Sequence, residues 1–173
     1  MKSHERTARR LLIAGLAGLM LAVSLAGCGG SSQSSTSEQA AQKDADLYAI
    51  DQIERTWHKA ASRHDLNLMM SLWAPKATFT LGGTTVEGKA AIRSVFSKAG
   101  PFQPQNHWVS DTPAYKIRTT VNGDKGTLYF QCHYVDVKTG KIMAVVGADQ
   151  DVRKIDGKWL ITNFAGSSPT LSP

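Results

Sequence analysis

The chain has 173 residues, 42% of them hydrophobic and 20% charged, and a formal net charge of +6. Four of its basic residues, Lys2, Arg6, Arg9 and Arg10, crowd the first ten positions against a single acidic one, Glu5. No basic run with interleaved aromatic residues follows them, which excludes nucleic acid as a partner on charge pattern.

The basic start leads into an apolar run broken only by Ser24, the n-region and h-region of a secretory signal. From Leu11 to Ala26 the run is 16 residues, short of the roughly 20 a membrane-spanning helix needs, so removal is expected rather than a permanent span. Leu25, Ala26, Gly27 and Cys28 resemble the lipobox of bacterial lipoproteins. On that reading residues 1–27 are a signal peptide and Cys28 is lipidated. Two or three acyl chains such as palmitate on one cysteine anchor stably, where one is marginal. The implied address is the extracytoplasmic face of the cell membrane. Removal leaves 16 Lys and Arg against 13 Asp and Glu, a net of about +3. Cys132 then has no partner for an internal disulfide, and its place between Gln131 and His133 suits a buried small hydrophobe.

Residues 28–43 are, after Cys28, almost entirely Gly, Ser, Thr, Gln and Ala, with Glu38 and Lys43 and little apolar bulk, and read as a flexible tether. Residues 44–173 form one domain. Asp44 to Arg63 carries Leu47, Ile50, Ile53, Trp57 and Ala60 or Ala61 at helical spacing. Asp65 caps a second helix bearing Leu68, Met69, Leu72 and Trp73, stopped by Pro75. Ala77 to Leu81 reads as a strand, Gly82-Gly83 as a turn, and Lys89 to Lys98 as a third helix. Beyond Asn106 the pattern alternates. Strands are expected at Asn106 to Val121, Thr127 to Val137, Ile142 to Ile155 and Lys158 to Phe164, joined at Asn122-Gly123, Thr139-Gly140 and Asp156-Gly157. Three helices before an antiparallel meander define an α+β fold in which the helices cover one face of a curved sheet.

The residues Leu72-Trp73-Ala74-Pro75, Ala77-Thr78-Phe79, Gly88, His107, Asn122-Gly123-Asp124 and Asp156-Gly157-Lys158-Trp159-Leu160-Ile161 occur in an order and spacing that resembles the SnoaL-like branch of the nuclear transport factor 2-like (NTF2-like) superfamily. The resemblance runs from about Asp46 to Phe164 and implies a cone with an interior pocket. Superfamily members include polyketide cyclases, dehydratases, ketosteroid isomerases, ligand carriers and inert scaffolds, so fold alone does not select an activity.

The resemblance places His107 where dehydratase-like members carry a pocket histidine, with His133 on the neighbouring strand as a second. Imidazole suits a proton shuttle near neutral pH. Such enzymes orient one histidine with a carboxylate near the end of the first helix, where this chain has Ser62, and Asp149 is the possible substitute. His107 equally suits a structural role with a backbone partner. Trp57, Phe79, His107 and Tyr129 are expected to converge on one cavity, with Met143, Val145, Gly147 and Asp149 sharing a strand face. His107, His133 and Asp149 lack a short-range pair such as His-x-x-x-His, so no metal and no cofactor is expected. Ile142, Ala144 and Val146 suggest an apolar outer face fit for a homodimer. Two functions fit: a membrane-tethered module that binds a small apolar or aromatic ligand or a partner protein, and an isomerase or dehydratase with His107 as general base.

Overall fold

The structure, a computed structural model, describes residues 31–169. The signal peptide and Cys28 lie outside the described residues. The first helix, α1 (Ser31–Ser62), starts well before Asp44. Its residues 36–45 are exposed, and Glu38, Gln39, Ala40, Ala41, Gln42 and Lys43 are strong helix formers, so propensity and continuity with the packed turns extend the helix into the expected tether.

Packing begins one turn later, where Ile50, Ile53, Trp57, Ala60 and Ala61 form a buried stripe. The helix ends on His64, which takes the left-handed conformation at φ 55° usually filled by glycine. Its Nδ1–H donates to the Pro101 carbonyl at 2.6 Å, which holds the ring against that turn. Asp65 then accepts from the Leu68 amide at 2.8 Å and caps α2 (Leu66–Ser71).

The remaining elements are β1 (Trp73–Leu81), β2 (Thr84–Glu87), α3 (Lys89–Phe96), β3 (Trp108–Asp111), β4 (Arg118–Asn122), β5 (Lys125–Asp136), β6 (Ile142–Ile155) and β7 (Lys158–Ser167). They build one curled, unclosed mixed sheet in the order β2-β1-β7-β6-β5-β3, with β4 beside β3 on the edge of β5. Strands β1 and β7 run parallel. The α+β cone expected from the sequence is therefore present, with two differences. The expected strand from Asn106 to Val121 is broken at Thr112-Pro113, followed by a 3-10 turn at Ala114–Lys116. Proline removes a ladder donor, so β3 and β4 pair separately with β5. Pro75, expected to stop a helix, lies inside β1 at an irregularity where the register with β7 shifts between Trp73 and Thr78, a position that tolerates proline.

The long pair β5 and β6 sets which side chains face the helices. Leu128, Phe130, Cys132 and Tyr134 are buried on the inner face of β5 and pair with Gln150, Ala148, Val146 and Ala144 of β6. The odd-numbered residues of both strands face outward.

Asp46 ties the first packed turn of α1 to the β6–β7 hairpin. Its carboxylate accepts from Lys154 Nζ at 2.7 Å, Trp159 Nε1 at 2.9 Å and Gln42 Nε2 at 3.1 Å. The Lys154 bond, then that from Trp159, hold this carboxyl below its usual range despite burial. Asp46→Asn is expected to cost about 1–3 kcal/mol near neutral pH, as for other hydrogen bonds to charged groups. The sign follows from linkage: a lowered folded pKa contributes stability above the unfolded value, near 3.8, and loses it as pH falls through the folded value. Urea midpoints for both proteins should converge below that pH.

Candidate functional site

An apolar cavity of about 290 Å³ opens at one end of the cone. Trp57 of α1, Phe79 and Leu81 of β1, Val95 and Phe96 of α3, and Phe164 of β7 form its floor and one side. The segment from Ala99 to Phe102, with Trp108, Tyr134, Ala144 and Val146, forms the other.

The floor is a slab of parallel rings. Phe164 stacks on Phe79 at 4.7 Å and on Trp57 at 5.6 Å, each pair within 9° of parallel. Phe96 stands edge-on to Phe79 and Trp57, at 5.4 Å from each. Stacked and edge-to-face rings are favoured contacts, so this wall is rigid and flat. Gly100 is required at the mouth, because a Cβ there would collide with the Trp108 indole.

Tyr134 provides the one oxygen among the lining side chains. Its hydroxyl accepts from Trp57 Nε1 at 3.2 Å. Burial, chiefly, pushes the phenol well above its ordinary pKa, so it stays protonated. Burial likewise pushes the neighbouring Cys132 thiol up to about 12, which removes thiolate chemistry at neutral pH.

Behind this wall lies a buried polar cluster. Glu54 and His58, 5% and 8% exposed, occupy the inner stripe of α1. His58 Nε2 is 2.8 Å from Glu54 Oε1 and 2.8 Å from Thr112 Oγ1, and Nδ1 is 2.6 Å from Ser110 Oγ. The Thr112 hydroxyl donates to the Gln131 carbonyl at 2.6 Å, and the Ser110 amide donates to Ser62 Oγ at 2.9 Å. The carboxylate that orients a histidine thus comes from Glu54 rather than from the Ser62 position, and the histidine it orients is His58.

Of the residues expected to line the cavity, the structure brings Trp57 and Phe79 together there and leaves His107 and Tyr129 outside. His107 precedes β3 at the sheet edge, where its carbonyl accepts from the Val137 amide at 3.0 Å. The carboxyl of Asp136, which pairs with Trp108 in the ladder, is held low first by the Thr139 amide and only last by His107. Tyr129 is on the outer face, 3.9 Å beneath the Arg118 guanidinium. His133 is also on that face, paired with Val145 and Asp111. Its Nε2 is buried without a hydrogen-bond partner.

Asp149 is opposite Tyr129 and exposed. The three proposed catalytic residues therefore do not meet in the cavity. The faces of β6 are reversed from expectation: Ala144 and Val146 line the cavity, while Val145, Gly147 and Asp149 face away from it. Ile142, beyond the register shift that pairs it with Val135, does not line the cavity and is 46% exposed. Among the described residues no cluster of three or more His, Cys, Asp or Glu side chains could hold a metal, and no helix is long and apolar enough to cross a membrane.

Wider hollows of about 430 and 360 Å³ lie on the outer face, between strands β4 and β7. They are open grooves in which Thr, Asp, Asn, Lys and Arg are interspersed with Val121, Val152, Leu128 and Tyr129, so they lack the predominantly apolar enclosure of a small-molecule site.

A helix-covered, curled sheet enclosing an apolar end-pocket defines an α+β cone domain. Residues 54–160 match the model of the SnoaL-like domain, more than half of the chain, and the chain belongs to that family. Solved structures agree on the fold. An NTF2-like protein with a cystatin-like fold from Novosphingobium aromaticivorans is 14% identical at a TM-score of 0.65, covering 82% of this chain and 92% of its own. A candidate dehydratase of the NTF2-like family from Streptomyces avermitilis is 14% identical at 0.59, covering 74% and 99%. A candidate ketosteroid isomerase from Shewanella frigidimarina is 15% identical at 0.57, covering 69% and 94%. No curated protein matches the chain by sequence.

Proposed function

We propose that this domain holds a small, planar, largely apolar ligand in the end-pocket, and does so outside the cell membrane from a lipid anchor at Cys28. The carrying observation is the flat slab of Trp57, Phe79 and Phe164 facing a 290 Å³ cavity. A ligand sliding against those rings buries aromatic surface at about 25 cal/mol per Å², enough for micromolar binding without catalysis. The exposed turns of α1 over residues 36–45 would act as a stiff spacer of about 15 Å between anchor and core.

Ala144→Trp, placed in the cavity wall, should fill the space and weaken binding of a planar apolar probe about tenfold or more. Quenching of tryptophan fluorescence reads this, since Trp57 and Trp108 line the site. Undiminished binding in the variant would put the ligand elsewhere. For the anchor, incorporation of labelled fatty acid should be lost in Cys28→Ser while the domain stays folded.

A second reading, an isomerase or dehydratase, is supported by the buried Glu54–His58 pair behind the pocket wall. His107 would not serve it as base, because its ring lies off the cavity.

A further inference from the structure

Only two residues other than glycine take positive φ among the described residues. Asp156 sits in a two-residue hairpin, which demands it. His64, at 55°, closes α1 in a Schellman cap: its amide donates to the Ala61 carbonyl at 3.2 Å, and the Asp65 amide donates to the Ala60 carbonyl at 2.9 Å. Glycine fills that position without steric cost, so the imidazole stands there against the preference of the backbone. Strain of this kind points to a role for the side chain.

The ring's partner is the Pro101 carbonyl, 2.6 Å from Nδ1. Pro101 belongs to the Ala99–Phe102 segment, which forms one side of the pocket. That side is backbone as much as side chain, and carbonyls turned inward would make an apolar wall polar. They are spent elsewhere. The Gly100 carbonyl accepts from Asn106 Nδ2 at 2.9 Å, and the Ala99 carbonyl from the Phe102 amide at 2.9 Å. The Pro101 carbonyl is taken by His64, which lies outside the cavity lining. The segment is also the seat of Trp108, whose indole rests on Gly100 with no room for a Cβ between them. Drift of the segment therefore releases Trp108 as well, and the whole side opposite the ring slab loosens.

We infer that His64 is a positioning residue that latches the Ala99–Phe102 segment through Pro101, and so holds the pocket at the width that grips a flat ligand. This deepens the pocket-binding reading and rests on it. The latch acts through one N–H, so another donor in the same place substitutes for it. Asparagine qualifies on two counts: it tolerates the left-handed conformation, and its Nδ2 occupies the place of imidazole Nδ1, one bond beyond Cγ.

The test uses the chain from Gly29, which carries the whole sheet and every buried contact, with naphthalene as the probe. The parent, His64→Gly and His64→Asn are compared by calorimetric titration, by amide hydrogen exchange over residues 99–106, and by urea midpoint. In His64→Gly the relieved backbone offsets the lost hydrogen bond, so the midpoint should hold or rise. Exchange over residues 99–106 should nonetheless quicken about tenfold, and naphthalene should bind about tenfold more weakly, because the binding-competent arrangement of the segment falls to about a tenth of the population. His64→Asn should restore both. Affinity unchanged in His64→Gly, affinity that His64→Asn does not restore, or a collapsed midpoint in His64→Gly marks the histidine as structural and overturns the latch while the pocket stands. If naphthalene does not bind the parent, the pocket reading falls and the latch's purpose with it, whatever the exchange over residues 99–106.

Discussion

Replacing Trp57 with alanine is expected to destabilise the domain by about 3–5 kcal/mol, the range for removing a large buried aromatic. Trp57 is 2% exposed. Its ring meets Trp73, Phe96, Phe130 and Phe164 at centroid distances between 5.4 and 6.1 Å. It is thus the contact through which α1 touches three regions of the sheet and α3 at once. The truncation also strips Tyr134 Oη of its donor, leaving a buried oxygen partly unsatisfied, and it opens the cavity floor so that relaxation cannot close the gap. Single domains have about 5–15 kcal/mol in total, so this one change consumes a large fraction. Trp57→Phe keeps most of the ring and loses the N–H, for which about 1–2 kcal/mol is expected. Urea unfolding of both variants at fixed pH measures the difference. A loss below about 1 kcal/mol for the alanine variant would mean that the floor repacks and that Trp57 is not the hub.

Much of this arrangement is legible from residue order. The periodicity of Ile50, Ile53, Trp57 and Ala60 marks the buried face of α1, and the alternation of β5 and β7 marks strands. Local turn chemistry holds at Asp156-Gly157, where both residues have positive φ, as a two-residue hairpin requires.

The faces of β6 are not legible. Ile142, Ala144 and Val146 on one register and Met143 and Val145 on the other are both apolar, so hydrophobicity cannot choose between them. The choice is made by pairing with β5, where Cys132 meets Val146 and Tyr134 meets Ala144. Register is a long-range property, and a slip of one residue exchanges the faces, which is why Asp149 and Tyr129 appeared inward on pattern alone.

The polar cluster was missed for a different reason. Glu54 and His58 fall four and eight residues after Ile50, on the same stripe. A polar type usually signals the surface, and here helical spacing should have outweighed it. Two ionisable residues four apart inside an apolar stripe are a readable sign of a buried pair. Their hydroxyl partners come from the β3 edge, which no local pattern connects to α1.

That buried pair leads to the second large effect. Glu54 and His58 side chains are 7% and 10% exposed, so removing either partner leaves the other without compensation in a weakly polar interior. Glu54→Leu is expected to cost about 3–5 kcal/mol, because Nε2–H keeps only Thr112 and a charged imidazole would lose its counter-ion. His58→Leu should cost a similar amount, since it abandons the Glu54 carboxylate and the Ser110 hydroxyl together. The double variant, Glu54→Leu with His58→Leu, removes both desolvation penalties and restores apolar packing against Phe130, which now lies edge-on to His58 at 5.6 Å. It should therefore be more stable than the sum of the singles by about 2–3 kcal/mol, within the range for residues in contact. A double-mutant cycle in urea supplies that coupling directly. Additive losses would show that the two groups are independently solvated and that Glu54 does not orient His58.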